Sequence, residues 1–253
     1  MRVLRGLEEA REFVAGRASI ASQEVPEELA QEVARRSQAI FGQPLTIQES
    51  VRHIVEEVRK GGDAALKDLT ERIDGLRLVD LEVPREALAQ AAESIPNELK
   101  SALELAAKRV AQFAEASLPK TWHDSNTGLG EIVVPLERVG VYAPGGTAAY
   151  PSTVIMTAVT ARTAGVHEVI VCSPAHDGIN ASASVLAAAH IARVDRVFRI
   201  GGAQAIAAMA FGTESVPKVD KICGPGNIFV TLAKQQLFGQ VGIDGVFGPT
   251  ETV

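Results

Sequence analysis

Three loops in the second half of the chain combine glycine with residues able to hold a ligand. They are Ala143-Pro144-Gly145-Gly146, Gly201-Gly202-Ala203-Gln204 and Gly224-Pro225-Gly226-Asn227. Glycine lets a ligand approach the backbone closely, and free N–H groups at a helix N-terminus favour phosphate charge. The chemistry this suits is binding of a nucleotide-type ligand. None of the loops reads G-x-G-x-x-G or a Walker sequence, so spacing alone leaves a phosphate cradle and a tight strand-to-helix turn both open. The third loop is more suggestive, because two glycines around a proline fix a rigid bend. The Asn227 amide beyond it can donate and accept towards a ligand, and a helix N-cap is its alternative role. Tyr142, just before the first loop, either offers a flat face and a hydroxyl to that edge or packs as a core aromatic with a satisfied hydroxyl. Gln204 falls in the first turn of a helix, its amide either near the same edge or solvated.

Catalytic machinery is harder to find. The histidines are His53, His123, His167, His176 and His190, and no two stand four apart as zinc ligands on a helix would. The two cysteines, Cys172 and Cys223, make no C-x-x-C. His53 sits among charges on a helix and reads as surface. His176 lies on a ligand-edge loop, where contact with a substrate is the less favoured of its two readings. No Ser–His–acid set can be assembled. Both cysteines end apolar runs, and a reduced pair in a cytosolic protein is the simple reading, with a disulfide between neighbouring strand ends as the alternative.

The elements that must position these loops are legible. Four short apolar runs, 138–142, 167–172, 196–200 and 219–223, each end in a glycine- or proline-containing loop. After each comes a helix-length run rich in Ala, Met, Leu and Thr. Strand, loop and helix repeated in this way argue a parallel sheet with crossover helices. The right-handed crossover rule puts all four loops at the carboxyl ends of the strands, where open α/β sheets bind ligands. The expected fold class is therefore α/β, a Rossmann-like parallel sheet with crossover helices, preceded by a mainly helical N-terminal region.

In that region Pro26 opens a helix that stops at Gly42. Thr46-Ile47-Gln48-Glu49 is a capping box opening a helix over 47–60. Gly61-Gly62 closes it, and another helix runs over 63–73. Val83-Pro84 and Ile95-Pro96 mark two more helical starts, the second helix running over 97–116. A polar turn over 124–130 between extended residues predicts a hairpin. We place the domain boundary near Leu136: residues 1–135 as part of a first domain, 136–241 as a Rossmann-like nucleotide-binding domain, and 242–253 as the start of a return segment that is cut short.

At 253 residues, 46% apolar and 22% charged, the chain can build one large or two ordinary domains. A net charge of −6 argues against nucleic acid as the main partner. The opening residues are too charged for a secretory signal, and no apolar run approaches the roughly 18 residues of a membrane span. A cytoplasmic protein with no membrane contact is expected.

At the same loops the chain resembles histidinol dehydrogenase. The matching blocks are Arg138-Val139-Gly140-Val141-Tyr142-Ala143-Pro144-Gly145-Gly146 with Ala149-Tyr150-Pro151-Ser152, and Gly201-Gly202-Ala203-Gln204-Ala205-Ile206-Ala207. They continue with Pro217-Lys218-Val219-Asp220-Lys221-Ile222 and Gly224-Pro225-Gly226-Asn227-Ile228-Phe229-Val230. The resemblance runs from about Val25 to the end and is most specific from Arg138 onward. It implies the last steps of histidine biosynthesis: two NAD-dependent oxidations of histidinol to histidine through an aldehyde kept on the enzyme, with zinc holding the substrate. By resemblance, Tyr142, Gln204 and Asn227 match positions the family uses for NAD, on a sheet that lacks the usual dinucleotide fingerprint. Gly248-Pro249-Thr250-Glu251 matches a Gly-Pro-Ser-Glu block whose serine touches substrate, so Thr250 is the substrate-binding candidate. Threonine keeps the hydroxyl and adds a methyl group, which keeps a relative acting on another small alcohol as the alternative. The family's zinc ligands and its proton-moving Glu-His pair follow that block, so the resemblance implies no catalytic residue and no metal ligand within 1–253. The chain alone is then expected to be inactive, a truncated part or a non-catalytic NAD-binding fragment. Family members are intertwined dimers, which implies a homodimer.

Overall fold

The structure, a computed structural model, describes residues 27–145, 149–175 and 181–246. The chain divides into two compact units, one of them Ile47–Val246. In the other, α1 (Glu27–Phe41) carries Glu27 and Glu28 in its first turn, against the positive end of the helix dipole. The turn after it is closed by Leu45 N donating to Ser37 Oγ at 2.7 Å.

The Ile47–Val246 unit begins with α2 (Ile47–Asp74), whose stripe of Val51, Ile54, Val55, Val58, Leu66 and Leu69 is buried. The two helices expected on either side of Gly61-Gly62 are present and meet at a kink at Gly62, where φ is 52° and ψ is −134°. Glycine suits this backbone, because residues with a Cβ rarely adopt that φ, and a Cβ would also push the Glu214 carboxylate aside. The Glu214 carboxylate accepts from Asp63 N at 2.7 Å, and the Asp63 carboxylate accepts from Thr213 Oγ1 at 2.6 Å and from Ser215. This exchange fastens the restart of the helix to residues 213–215.

A two-residue strand, β1 (Glu82–Val83), precedes α3 (Arg85–Ser94) and α4 (Asn97–Ser117). It was not legible in the sequence, where Val83-Pro84 reads only as a helix start. The expected hairpin is formed by β2 (Trp122–Asp124) and β3 (Leu129–Glu131). The Asp124 carboxylate holds its turn, accepting from Asn126 N at 2.9 Å and Thr127 Oγ1 at 2.8 Å.

The sheet strands follow: β4 (Arg138–Tyr142), β5 (Glu168–Cys172), β6 (Arg196–Phe198), β7 (Lys221–Cys223) and β8 (Gly242–Ile243). Between β4 and β5 run α5 (Pro151–Val154), a π-helical turn (Ile155–Val159) and α6 (Thr160–Thr163). The later crossovers are α7 (Ala183–Ile191), α8 (Gly202–Phe211) and α9 (Ile228–Leu237). Strand order is β1-β6-β5-β4-β7-β8, parallel throughout except for β1. The α/β class with a mostly parallel sheet and crossover helices is the expected one. Register is fixed by residues as well as backbone: Arg138 and Glu168 are directly paired on β4 and β5 and form an ion pair. On the antiparallel edge Arg196 holds Glu82 with two bonds, Nε to Oε1 at 3.0 Å and Nη2 to Oε2 at 2.6 Å.

The sheet is covered on both faces. Helices α3, α4 and α7, with the π turn, pack together in one layer, and α2, α8 and α9 in the other. A sheet buried on both faces needs continuous apolar strands, and Val139, Val141, Val169, Ile170, Val171, Val197, Phe198 and Ile222 supply them. Among the described residues no helix is long and apolar enough to cross a membrane.

Candidate functional site

Taking the parallel strands alone, the order β6-β5-β4-β7-β8 places the first strand of the series in the middle. The chain steps outward through β5 and β6, then returns to the other side of β4 for β7 and β8. The order reverses between β4 and β7, and at such a switch point open α/β sheets form their ligand crevice, beyond the carboxyl ends of the strands.

Tyr142 is the joint of this edge. It is the last residue of β4, its side chain is buried, and its phenol oxygen accepts from Gly202 N at 3.1 Å. That bond ties the end of β4 to the start of α8, two strands away. On the other side, a Cβ placed on Gly224 would lie 2.1 Å from the Tyr142 carbonyl oxygen, so the loop after β7 touches the backbone of the same residue. Burial pushes the Tyr142 hydroxyl up to about 12, against a smaller lowering by the Gly202 N–H. The phenol therefore stays protonated at neutral pH and keeps its own O–H to donate. Because the folded value lies above the ordinary 10.0, this stability is fully present below pH 10 and lost as pH rises towards about 12. A Tyr142→Phe chain should lose less stability over that window than the parent, as read by urea titrations at each pH.

Gln204 is buried at 2% exposure in the first turn of α8. Its Oε1 folds back over Gly202, 2.6 Å from where a Cβ would stand. Gly201 and Gly202 thus open α8 with no side-chain cap. Gly202 N is taken by Tyr142, and the next N–H groups, of Ala203 and Gln204, are left without a partner among the described residues. An open first turn of this kind attracts phosphate charge.

The other candidate helix start behaves differently. Asn227 caps α9, its Oδ1 accepting from Phe229 N at 3.0 Å and Val230 N at 3.2 Å. The capping role left open by the sequence is the one seen, and it leaves the Asn227 Nδ2 as a donor. The loop itself is clamped by a pair the sequence reading did not single out. Lys234, buried at 2% exposure, reaches from α9 to Asp244 Oδ1 at 2.7 Å and to the Gly224 carbonyl. Asp244 Oδ2 accepts from Gly224 N at 2.7 Å. The missed signal was Lys234 lying on the stripe of Val230 and Leu237, where a lysine has no business without a partner.

The structure thus joins Tyr142 and Gln204 through Gly202 and sets Asn227 on the adjoining loop, three residues past the glycine that touches Tyr142. Gly146, His176 and the Gly248-Pro249-Thr250-Glu251 block with Thr250 lie outside the described residues. The disulfide alternative fails, because β4 separates β5 from β7. Strands two apart lie about 10 Å from each other, beyond the roughly 7 Å a disulfide spans. Both cysteines are free, and burial pushes both thiols up. Among the described residues no three His, Cys, Asp or Glu side chains cluster to hold a metal, so these residues do not fit zinc.

A family model for histidinol dehydrogenase matches residues 38–253. The chain belongs to the histidinol dehydrogenase family. It is 52% identical over 226 residues to the histidinol dehydrogenase of Parasynechococcus marenigrum, covering 88% of this chain and 51% of that protein. To the Syntrophotalea carbinolica histidinol dehydrogenase it is 50% identical over 213 residues, 82% of this chain and 49% of the relative. Among solved structures, the histidinol dehydrogenase of Elizabethkingia anophelis superposes with a TM-score of 0.76 at 30% identity, covering 90% of this chain and 53% of that one. The chain therefore spans about half the length of the histidinol dehydrogenases it matches. The family match takes in α2 and every later element, and so the whole of the carboxyl edge described above.

Proposed function

We propose that the protein carrying this chain oxidises L-histidinol to L-histidine through histidinaldehyde, using NAD and zinc, and that the carboxyl edge of this sheet is its NAD surface. The single observation behind the reading is the uncapped start of α8, with Tyr142 folded onto it and the Gln204 side chain buried beside it. NAD, when bound, supplies the hydride acceptor. The chain's own residues bind and orient it: the N–H groups of Ala203 and Gln204 face phosphate charge, the Tyr142 O–H donates, the Gln204 amide hydrogen-bonds to it, and Asn227 Nδ2 donates from the adjoining loop. In this reading residues 136–241 are the nucleotide-binding domain, 1–135 belong to a first domain, and the chain from 242 onward starts back towards it. Zinc and the proton-transfer groups are supplied from outside the described residues. A cytoplasmic homodimer without membrane or nucleic-acid partners completes the proposal.

The second reading, a dehydrogenase of another small alcohol, is favoured by Thr250 standing where the family block has serine. The experiment mixes the protein that carries this chain with L-histidinol, NAD and zinc and follows absorbance of the reduced cofactor. Histidinol-dependent reduction supports the first reading. Reduction with another alcohol and none with histidinol moves the assignment to the second.

A further inference from the structure

We infer that Lys234 is a positioning residue for the dinucleotide: with Asp244 it sets the loop after β7 so that the Asn227 amide reaches the bound cofactor. The inference deepens the NAD reading above and rests on it. Lys234 stands on α9 among the buried residues Val230, Thr231, Ala233 and Leu237. A lysine is almost never fully buried unless paired. A buried ion pair is weak evidence for stability, because apolar residues of similar volume often serve a fold as well or better. The pair is better explained by what it holds in place.

What it holds is one peptide. The Lys234 ammonium donates to the Gly224 carbonyl and to Asp244 Oδ1, and Gly224 N donates to Asp244 Oδ2. Asp244 is fixed in turn, its N–H donating to Ile222 O at 3.2 Å and its Oδ1 accepting from Gly245 N at 3.0 Å. Both polar groups of Gly224 are thus engaged, and a Cβ there would strike the Tyr142 carbonyl. Asn227 comes seven residues before Lys234, about two helical turns, so the two stand on one side of α9. Side chains on a helix lean towards its N-terminus, which brings the lysine back to the beginning of the loop that Asn227 ends. Asn227 Oδ1 is committed to Phe229 N and Val230 N. That cap fixes the amide relative to α9, and the clamp fixes α9 relative to the Tyr142 edge. Together they aim Asn227 Nδ2 at a ligand whose other contacts are Tyr142 and the start of α8.

The test titrates NAD by calorimetry into the parent chain, Asn227→Ser, the clamp variant Lys234→Met with Asp244→Asn, and all three substitutions together. Each is measured below its own melting transition. Serine keeps a capping oxygen and removes the amide, and the paired Met and Asn leave no unmatched charge. Asn227→Ser and the clamp variant should each bind roughly three- to tenfold more weakly, the worth of one hydrogen bond. The triple variant should bind no more weakly than the clamp variant, because a misaimed amide has nothing left to lose. A clamp that served only the fold would leave NAD affinity unchanged, or its loss would multiply with that of Asn227→Ser. Either result overturns the inference while the NAD reading stands, as does an Asn227→Ser chain that binds like the parent. Should the clamp variant not fold, Asp244→Glu, which keeps the ion pair and lengthens it by one methylene, takes its place with the same expected outcomes. If the parent binds no NAD, the reading and the inference fall together.

Discussion

A Gly224→Ala chain melts roughly 8–16 °C below the parent, taking about 4 kcal/mol at 2–4 °C per kcal/mol for a unit of this size. Two effects act at once. Gly224 sits at φ +112°, which side chains with a Cβ rarely adopt, and the added Cβ would stand 2.1 Å from the Tyr142 carbonyl oxygen. That oxygen belongs to the backbone of a central strand and cannot swing aside as a side chain would. Relief has to come from the loop after β7, and the loop is held at both ends of Gly224: its N–H by Asp244 and its carbonyl by Lys234. A differential scanning measurement reads the loss directly. If the variant melts within about 2 °C of the parent, the contact between the loop and Tyr142 is wrong.

Lys234→Met has the second large effect, on the order of 3 kcal/mol, because it leaves Asp244 without its cation. Methionine fills the stem of the lysine on the buried stripe of α9, so the loss is electrostatic rather than a cavity. Adding Asp244→Asn to Lys234→Met removes the unpaired charge while keeping an acceptor for Gly224 N. The double variant should therefore be more stable than the Lys234→Met single variant. Urea titrations of the three chains decide it, and a double variant less stable than the single would contradict a charge-pair origin.

Much of the architecture was legible because the signals are local. The runs ending at Tyr142, Cys172, Ile200 and Cys223 are apolar, short and followed by glycine- or proline-containing loops, and the structure makes strands at all four, in full over Arg138–Tyr142 and trimmed in the other three. Pro26, Thr46, Pro84 and Pro96 announced helix starts that fall at Glu27, Ile47, Arg85 and Asn97. Long-range pairings left no such mark. Strand β1 is two residues long and exists because Glu82 and Val83 meet Phe198 and Val197. The π turn at Ile155–Val159 interrupts a run that reads as ordinary helix. The placing of Cys172 and Cys223 on either side of β4 depends on strand order, which no local pattern encodes. At the site, the loops and Tyr142, Gln204 and Asn227 could be named from residue type, whereas the clamp by Lys234 and Asp244 depends on what lies across the fold.

The NAD surface itself is tested most directly by titrating NAD into this chain and into a Gln204→Met variant. Methionine keeps the shape of a side chain that is 2% exposed and removes its amide. The account predicts saturable binding to the parent, about tenfold weaker in the variant for one lost hydrogen bond in a buried site, with no fall in melting point. Equal affinities in the two chains, or no binding to the parent, would contradict it.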